Sequence, residues 1–425
     1  MTVSAEPETT PRTVPAGPRI PREIWVLIGA AFIIAVGFGL ITPVLPQFAR
    51  SFDVGVTAAA VVVSAFAFFR LVFATVGGRL VTVLGERPVY LAGLVIVALS
   101  TGVTAFAQSY GQLILFRSLG GIGSTMFTVS SAALIIRLAP PAIRGRVSSV
   151  FASAFLLGGV VGPLIGGVLG GFGLRVPFIV YAVALLIAAA VVATFLSGAR
   201  LREMRTGSTV PAMTFREALR DSAFRSALVS GMANGWSNFG VRMAIIPLFV
   251  TAVLVGTAQE SRSAQFAGFA IATFAAGNAL ALTFSGRLAD SVGRKPPVVS
   301  GLVVSGLATV VLGFVSSIWL ILALCLLAGA GAGILNPAQQ ATLADVIGNE
   351  RSGGGVLAGF QMATDLGTIL GPVLVGVLID RWGYGAGFAV TGVVLLIAAL
   401  AWLPARETLP SRRPHTSRDG LPRRS

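Results

Sequence analysis

Polar and apolar positions in this chain do not alternate at the short periods of a soluble helix or strand. They come in long blocks. Apolar runs cover roughly 24–45, 57–77, 89–106, 110–136, 147–169 and 176–196, and then 227–255, 265–285, 297–314, 319–345, 356–379 and 386–403, with Gly, Pro and Arg clustered between them. At 1.5 Å per residue each run is long enough to cross ~30 Å of hydrocarbon as a helix. A backbone in lipid must satisfy its own hydrogen bonds, and barrel strands of ~10 alternating residues are absent. The pattern predicts an all-α membrane protein with twelve transmembrane helices. It divides into a polar tail (1–23), a six-helix bundle (24–196), a polar linker (197–226) with a surface helix near Phe215–Leu219, a second six-helix bundle (227–403) and a polar tail (404–425).

The two bundles share spacing. Gly78-Arg79-Leu80 with Gly85 returns 208 residues later as Gly286-Arg287-Leu288 with Gly293. Gly158, Gly162 and Pro163 return at an offset of 209 as Gly367, Gly371 and Pro372. The expected fold is therefore two pseudo-symmetric six-helix bundles with a cleft between them. In membrane proteins built from such repeats, substrate sites lie at the repeat interface near the bilayer midplane.

Composition agrees. The 425 residues are 55% hydrophobic and 11% charged, against about 25% charged in a soluble domain. Cys325 is the single cysteine and His415 the single histidine, which leaves no disulfide, no metal site and no Ser-His chemistry. No cofactor is expected, and an enzyme is disfavoured. The net charge of +15 does not imply nucleic acid, because most arginines sit in short loops between apolar runs. With both termini in the cytoplasm, 24 Lys/Arg face that side, including Arg137, Arg144, Arg146, Arg294 and Lys295. Four face outward (Arg50, Arg175, Arg262, Arg381), and three lie within spans (Arg70, Arg117, Arg242). That asymmetry sets the orientation in a cytoplasmic (inner) membrane. Residues 1–23 lack the apolar core of a signal peptide, so the first span is expected to be retained. The expected partners are the lipid bilayer, protons and a small molecule, with the chain acting as a monomer.

At these residues the chain resembles the major facilitator superfamily, and within it the twelve-helix proton-linked drug and metabolite exporters. The resemblance covers about 24–403. The superfamily's loop signature, G-x-x-x-D-x-x-G-R-[RK], is matched by Gly286, Asp290, Gly293, Arg294 and Lys295. The earlier copy keeps Gly78 and Gly85 but carries Thr82 and Glu86 where the signature has an acid and a base. The resemblance implies a gate latch here, with Asp290 carrying more of it than Thr82; a tight turn with orienting charges fits as well. Arg117-x-x-x-Gly121-x-Gly123 is similar to the family's fourth-helix motif, whose arginine is implicated in proton transfer; an anchor for packing is the other reading. Gly158, Gly162, Pro163, Gly166 and Gly167 resemble the fifth-helix signature of antiporters. Gly37 to Pro46 resembles the first helix of drug exporters, and Asn234, Asn238, Arg242 and Pro247 suggest a gating seventh helix.

Asp365 lies about nine residues inside the eleventh run, and Arg70 seven residues before Gly77 in the second. The resemblance places these helices face to face across the halves, so Arg70 and Asp365 are expected to meet, either as a proton-coupling pair with Arg117 or as a static ion pair. Candidate cavity residues are Arg117, Arg242, Asn234, Asn238, Asn278, Asn336 and Gln361. The expected activity is proton-coupled efflux of a small amphipathic, neutral or anionic compound by alternating access. Uptake of a sugar or organic acid by symport or facilitation is the alternative.

Overall fold

A computed structural model describes residues 20–138, 144–196, 213–348, 351 and 353–409. Most of both expected tails, His415, the linker arginines Arg200, Arg202 and Arg205, and the side chains of Arg137, Arg144 and Arg146 lie outside the described residues. Among the described residues all regular structure is helical.

The first span is α1 (Arg22–Ile41) followed by α2 (Leu45–Arg50). The break falls at Thr42-Pro43, where proline supplies no backbone donor. The second is α3 (Val56–Val72) with α4 (Ala74–Leu84); Val56–Val72 and Val76–Leu84 meet at 49°. Then come α5 (Glu86–Thr104), α6 (Tyr110–Leu138), α7 (Arg144–Gly170) and α8 (Val176–Phe195). The expected surface helix is α9 (Phe215–Ala218), capped by the Thr214 hydroxyl. The seventh span joins α10 (Ser222–Asn234) to α11 (Arg242–Leu254) through a π-helical turn, Gly235–Val241. Next are α12 (Ser263–Val292), α13 (Lys295–Leu312) and α14 (Ile318–Ile347). The last element, α15 (Gly354–Leu400), has 47 residues. At 1.5 Å per residue that is about 70 Å, over twice the hydrocarbon depth, so it holds the eleventh and twelfth spans, joined at Gly383 with φ 81°.

The second and eighth spans run past their apolar stretches. Gly78 to Leu84 and Gly286 to Val292 are helical, and the chain turns only at Gly85 (φ 89°) and Gly293 (φ 102°). The signature loop is thus a helix extension ending in a left-handed glycine, which a side-chain-bearing residue adopts only with strain.

The repeat seen in the sequence is a repeat of contacts. Gly93 packs on Gly123, and Gly301 on Gly331. Gly121 sits against the backbone carbonyl of Phe66, and Gly329 against that of Phe274. Each pair recurs at the offset of 208. Small residues let helices without a hydrophobic driving force approach to backbone contact. The halves meet along two seams: the second span lies on the eleventh, and the fifth on the eighth, where Gly167 faces Ala264 and Gln265.

At the face that carries residue 20 and residues 404–409, the segment after the twelfth span straps the second half together. Arg406 pairs with Asp221, the cap of α10. The Glu407 carboxylate accepts the backbone N–H of Arg294 (2.8 Å) and Lys295 (3.1 Å) at the start of α13. The Thr408 hydroxyl donates to Asp345 (3.0 Å). A side chain at Gly293 would collide with Glu407, whereas among the described residues Gly85 faces open space.

Two predictions follow from packing and charge. Gly121→Leu and Gly329→Leu each push a side chain into a carbonyl of the neighbouring helix, and each should cost about 1–3 kcal/mol, read as a lowered Tm in detergent. For Glu407, partial burial raises the pKa, but the N–H donors of Leu409, Arg294, Lys295 and Thr408 outweigh it and hold the carboxyl below its ordinary value. Its stabilising effect is therefore present above the unfolded pKa and lost as pH falls through the folded one. Wild type should melt above Glu407→Gln at pH 7, and the two Tm values should converge below about pH 4.

Candidate functional site

The cleft between the halves narrows to a cavity of about 60 Å³. A drug-sized pocket needs roughly 300–1,000 Å³, so the space as it stands is smaller than such a ligand requires. Its walls come from both halves: Phe38 and Thr42 of the first span, Phe66 and Arg70 of the second, Arg117 of the fourth, Phe239 and Met243 of the seventh, and Thr368 of the eleventh.

Arg70 and Asp365 form an ion pair across the halves. The Gln361 amide also donates to Asp365 (3.1 Å), and the Thr125 hydroxyl holds the Arg70 carbonyl (2.7 Å). Asp365 is almost wholly buried, while the Arg70 side chain keeps 32% of its surface. The pair expected from the sequence is thus formed, with Gln361 as its third member.

Arg117 borders the cavity at 4% exposure. Its guanidinium lies over the Phe66 ring, 4.6 Å from the centroid, and its Nε has no acceptor. A charged arginine inside a span costs at least about 2.5–3.5 kcal/mol on insertion scales. A ring beneath it returns about 0.5–2 kcal/mol, and an unmet buried N–H costs about 1–3 more. The ring does not balance the charge, so the site is short of an anion.

Arg242 is not among the lining residues. It is buried over the Phe274 ring at 3.7 Å. It donates to Asn238 Oδ1 (3.1 Å), Asn238 donates to Asn234 (2.5 Å), and Asn234 donates to Asn336 (3.4 Å). This file runs along the π turn of the seventh span, the kind of irregular helix often found at functional sites. Asn278 lies apart, against Gly333, with its Oδ1 unpartnered. Phe274 is the repeat partner of Phe66 at 208 residues. The two arginines therefore occupy equivalent stations but come from non-equivalent helices, the fourth and the seventh. Position-by-position comparison of the halves sets Arg117 against Cys325 and misses this.

The glycine positions divide by role. Gly158, Gly162 and Gly166 pack on Ala35, Val36 and Leu40 of the first span, and the Pro163 carbonyl meets Gly268 of the eighth. Gly78 and Gly286 face open space. Asp290 pairs with Arg294 (2.5 Å), which also reaches Asp345 (3.2 Å). Among the described residues this cluster joins the eighth, ninth and tenth spans of the second half; the loop between the fourth and fifth spans lies outside the described residues.

Sequence reasoning missed Asp380. Its carboxylate accepts Val56 N–H (3.0 Å), Thr57 N–H (2.9 Å) and the Thr57 hydroxyl (2.6 Å), capping α3 from the opposite half. A carboxylate near the C-terminal end of its own span is disfavoured by that helix's dipole, which was a legible sign that its partner lies elsewhere. It joins the two halves at the end remote from the strap. Asp380→Asn should loosen that end. In a Cys325→Ser background, Thr42→Cys should then react several-fold faster with a polar maleimide. An unchanged rate removes Asp380 from the closure.

Comparison with known proteins bears on the fold and the family. A bacterial homologue of the human lysosomal transporter Spinster, in an inward-facing and unoccupied conformation, superposes with a TM-score of 0.74 at 16% identity, covering 89% of this chain and 95% of that one. The human organic anion transporter MFSD10 (TETRAN) gives 0.64 at 19% identity, covering 90% and 100%. These show the fold. Among curated proteins, Multidrug resistance protein 2 of Bacillus subtilis is 26% identical over 84% of this chain and 88% of its own length. Tetracycline resistance protein, class C, of Escherichia coli is 29% identical over 82% and 88%. The model of the Major Facilitator Superfamily matches residues 27–261 and 235–425, and on that coverage the chain belongs to the Major Facilitator Superfamily.

Proposed function

We propose that this chain is a secondary active exporter that exchanges protons for a small amphipathic, neutral or anionic molecule by alternating access. In this reading it works as a monomer in the cytoplasmic membrane with both termini inside. The observation that carries it is the Arg70–Asp365 pair, an ion pair that joins the two halves at the edge of the cavity. Resistance proteins among the relatives support outward transport and do not favour the uptake alternative.

The cycle uses groups already in place. A proton reaching Asp365 from outside removes the charge that Arg70 holds, and the halves part. Inward release of the proton restores the carboxylate and the pair. Gln361 keeps the carboxyl oriented in both forms, since its amide can donate or accept. One proton moving down 100 mV supplies about 2.3 kcal/mol and one pH unit about 1.4 kcal/mol, enough to concentrate a small molecule.

In inside-out vesicles acidified by respiration, a transported compound should dissipate the internal acidity in wild type. Asp365→Asn, present at normal levels, should abolish that response. Intact pH-driven transport in Asp365→Asn would reduce the pair to a structural tie.

A further inference from the structure

The two arginine–phenylalanine stations differ in a way that points to a ligand. Both guanidinium groups lie over repeat-equivalent rings, both are nine-tenths buried or more, and both keep an Nε without an acceptor. Arg242 is turned away from the cavity and donates to Asn238, at the head of a chain of amides. Arg117 borders the cavity. Among the described residues no carboxylate forms a salt bridge with it, whereas the other charged group of the wall, Arg70, is neutralised by Asp365. The cavity therefore holds one uncompensated positive charge. Around it the wall is mostly apolar, with Phe38, Leu45, Val63, Phe239 and Met243, and Thr42 and Thr368 as its hydroxyls.

We propose that the transported molecule carries one anionic group, a carboxylate or sulfonate, on an apolar body, and that Arg117 receives that group. Arg242 is the structural counterpart: the same ring beneath, an amide chain in place of a ligand. The planar guanidinium suits a two-oxygen acceptor, and Phe66 fixes its plane. This rests on the transport reading of the cavity but not on the direction of transport. One proton entering as one monoanion leaves would move two elementary charges the same way, so the membrane potential would drive both legs.

The test uses the purified full chain in nanodiscs of uncharged lipid, with no gradient. The probes are 8-anilinonaphthalene-1-sulfonate and N-phenyl-1-naphthylamine, which share an aromatic body and differ by the sulfonate. Wild type should bind the sulfonate at least tenfold more tightly than the neutral amine, after subtraction of empty nanodiscs. Arg117→Gln should erase that preference, weakening the sulfonate at least several-fold more than the amine. Arg117→Lys, which keeps the charge without the fork, should lose part of the preference. Equal binding of the two probes by wild type overturns the proposal, as does a preference that survives in Arg117→Gln. If Arg117→Gln does not fold, Arg117→Lys decides: loss confined to the sulfonate supports the proposal, and equal loss of both probes overturns it. Because no proton gradient is involved, failure here is distinct from failure of the export reading in vesicles.

Discussion

Hydrocarbon does not solvate charge, and the whole arrangement follows from where the few charges inside the spans find relief. Arg70 finds it in the opposite half, in Asp365. Arg242 finds it in a ring and an amide within its own half. Arg117 lies over a ring, with the Tyr181 phenol near it and no carboxylate paired with it among the described residues. These three solutions coincide with a tie between bundles, a brace inside one bundle and an open site. Burial of polar groups without partners is expensive, so the three arginines differ in how far that cost is met.

The eleventh span is the element through which the halves hold each other. Asp365 and Asp380 lie 15 residues apart on it, about 22 Å along a helix. They grip the second span at Arg70 and at its N-terminus, Val56 and Thr57. Between them the Ser64 hydroxyl donates to the Ile369 carbonyl (2.8 Å). The halves are thus fastened to each other at two depths, beside the small cavity.

Much of this was legible. Twelve apolar blocks, the offset of 208 and the depths of Arg70 and Asp365 come straight from residue order, because membrane thickness fixes helix length; that the second and eleventh spans face each other came from the family resemblance. Three things were not. The bend at 49° in the second span and the π turn in the seventh are backbone adjustments made to neighbours, and no local propensity announces them. The signature loop read as a turn is helix up to Gly293, since a helix need not end where its apolar residues do. The matching of Arg117 with Arg242 was hidden because equivalence lies in the rings beneath them, Phe66 and Phe274, while the arginines enter from different helices.

The strap of residues 404–409 binds the seventh, ninth and tenth spans to the end of the twelfth through Arg406, Glu407 and Thr408. Three consecutive side chains thus truss four spans of the second bundle, so any displacement of one of their ends has to carry the other three with it.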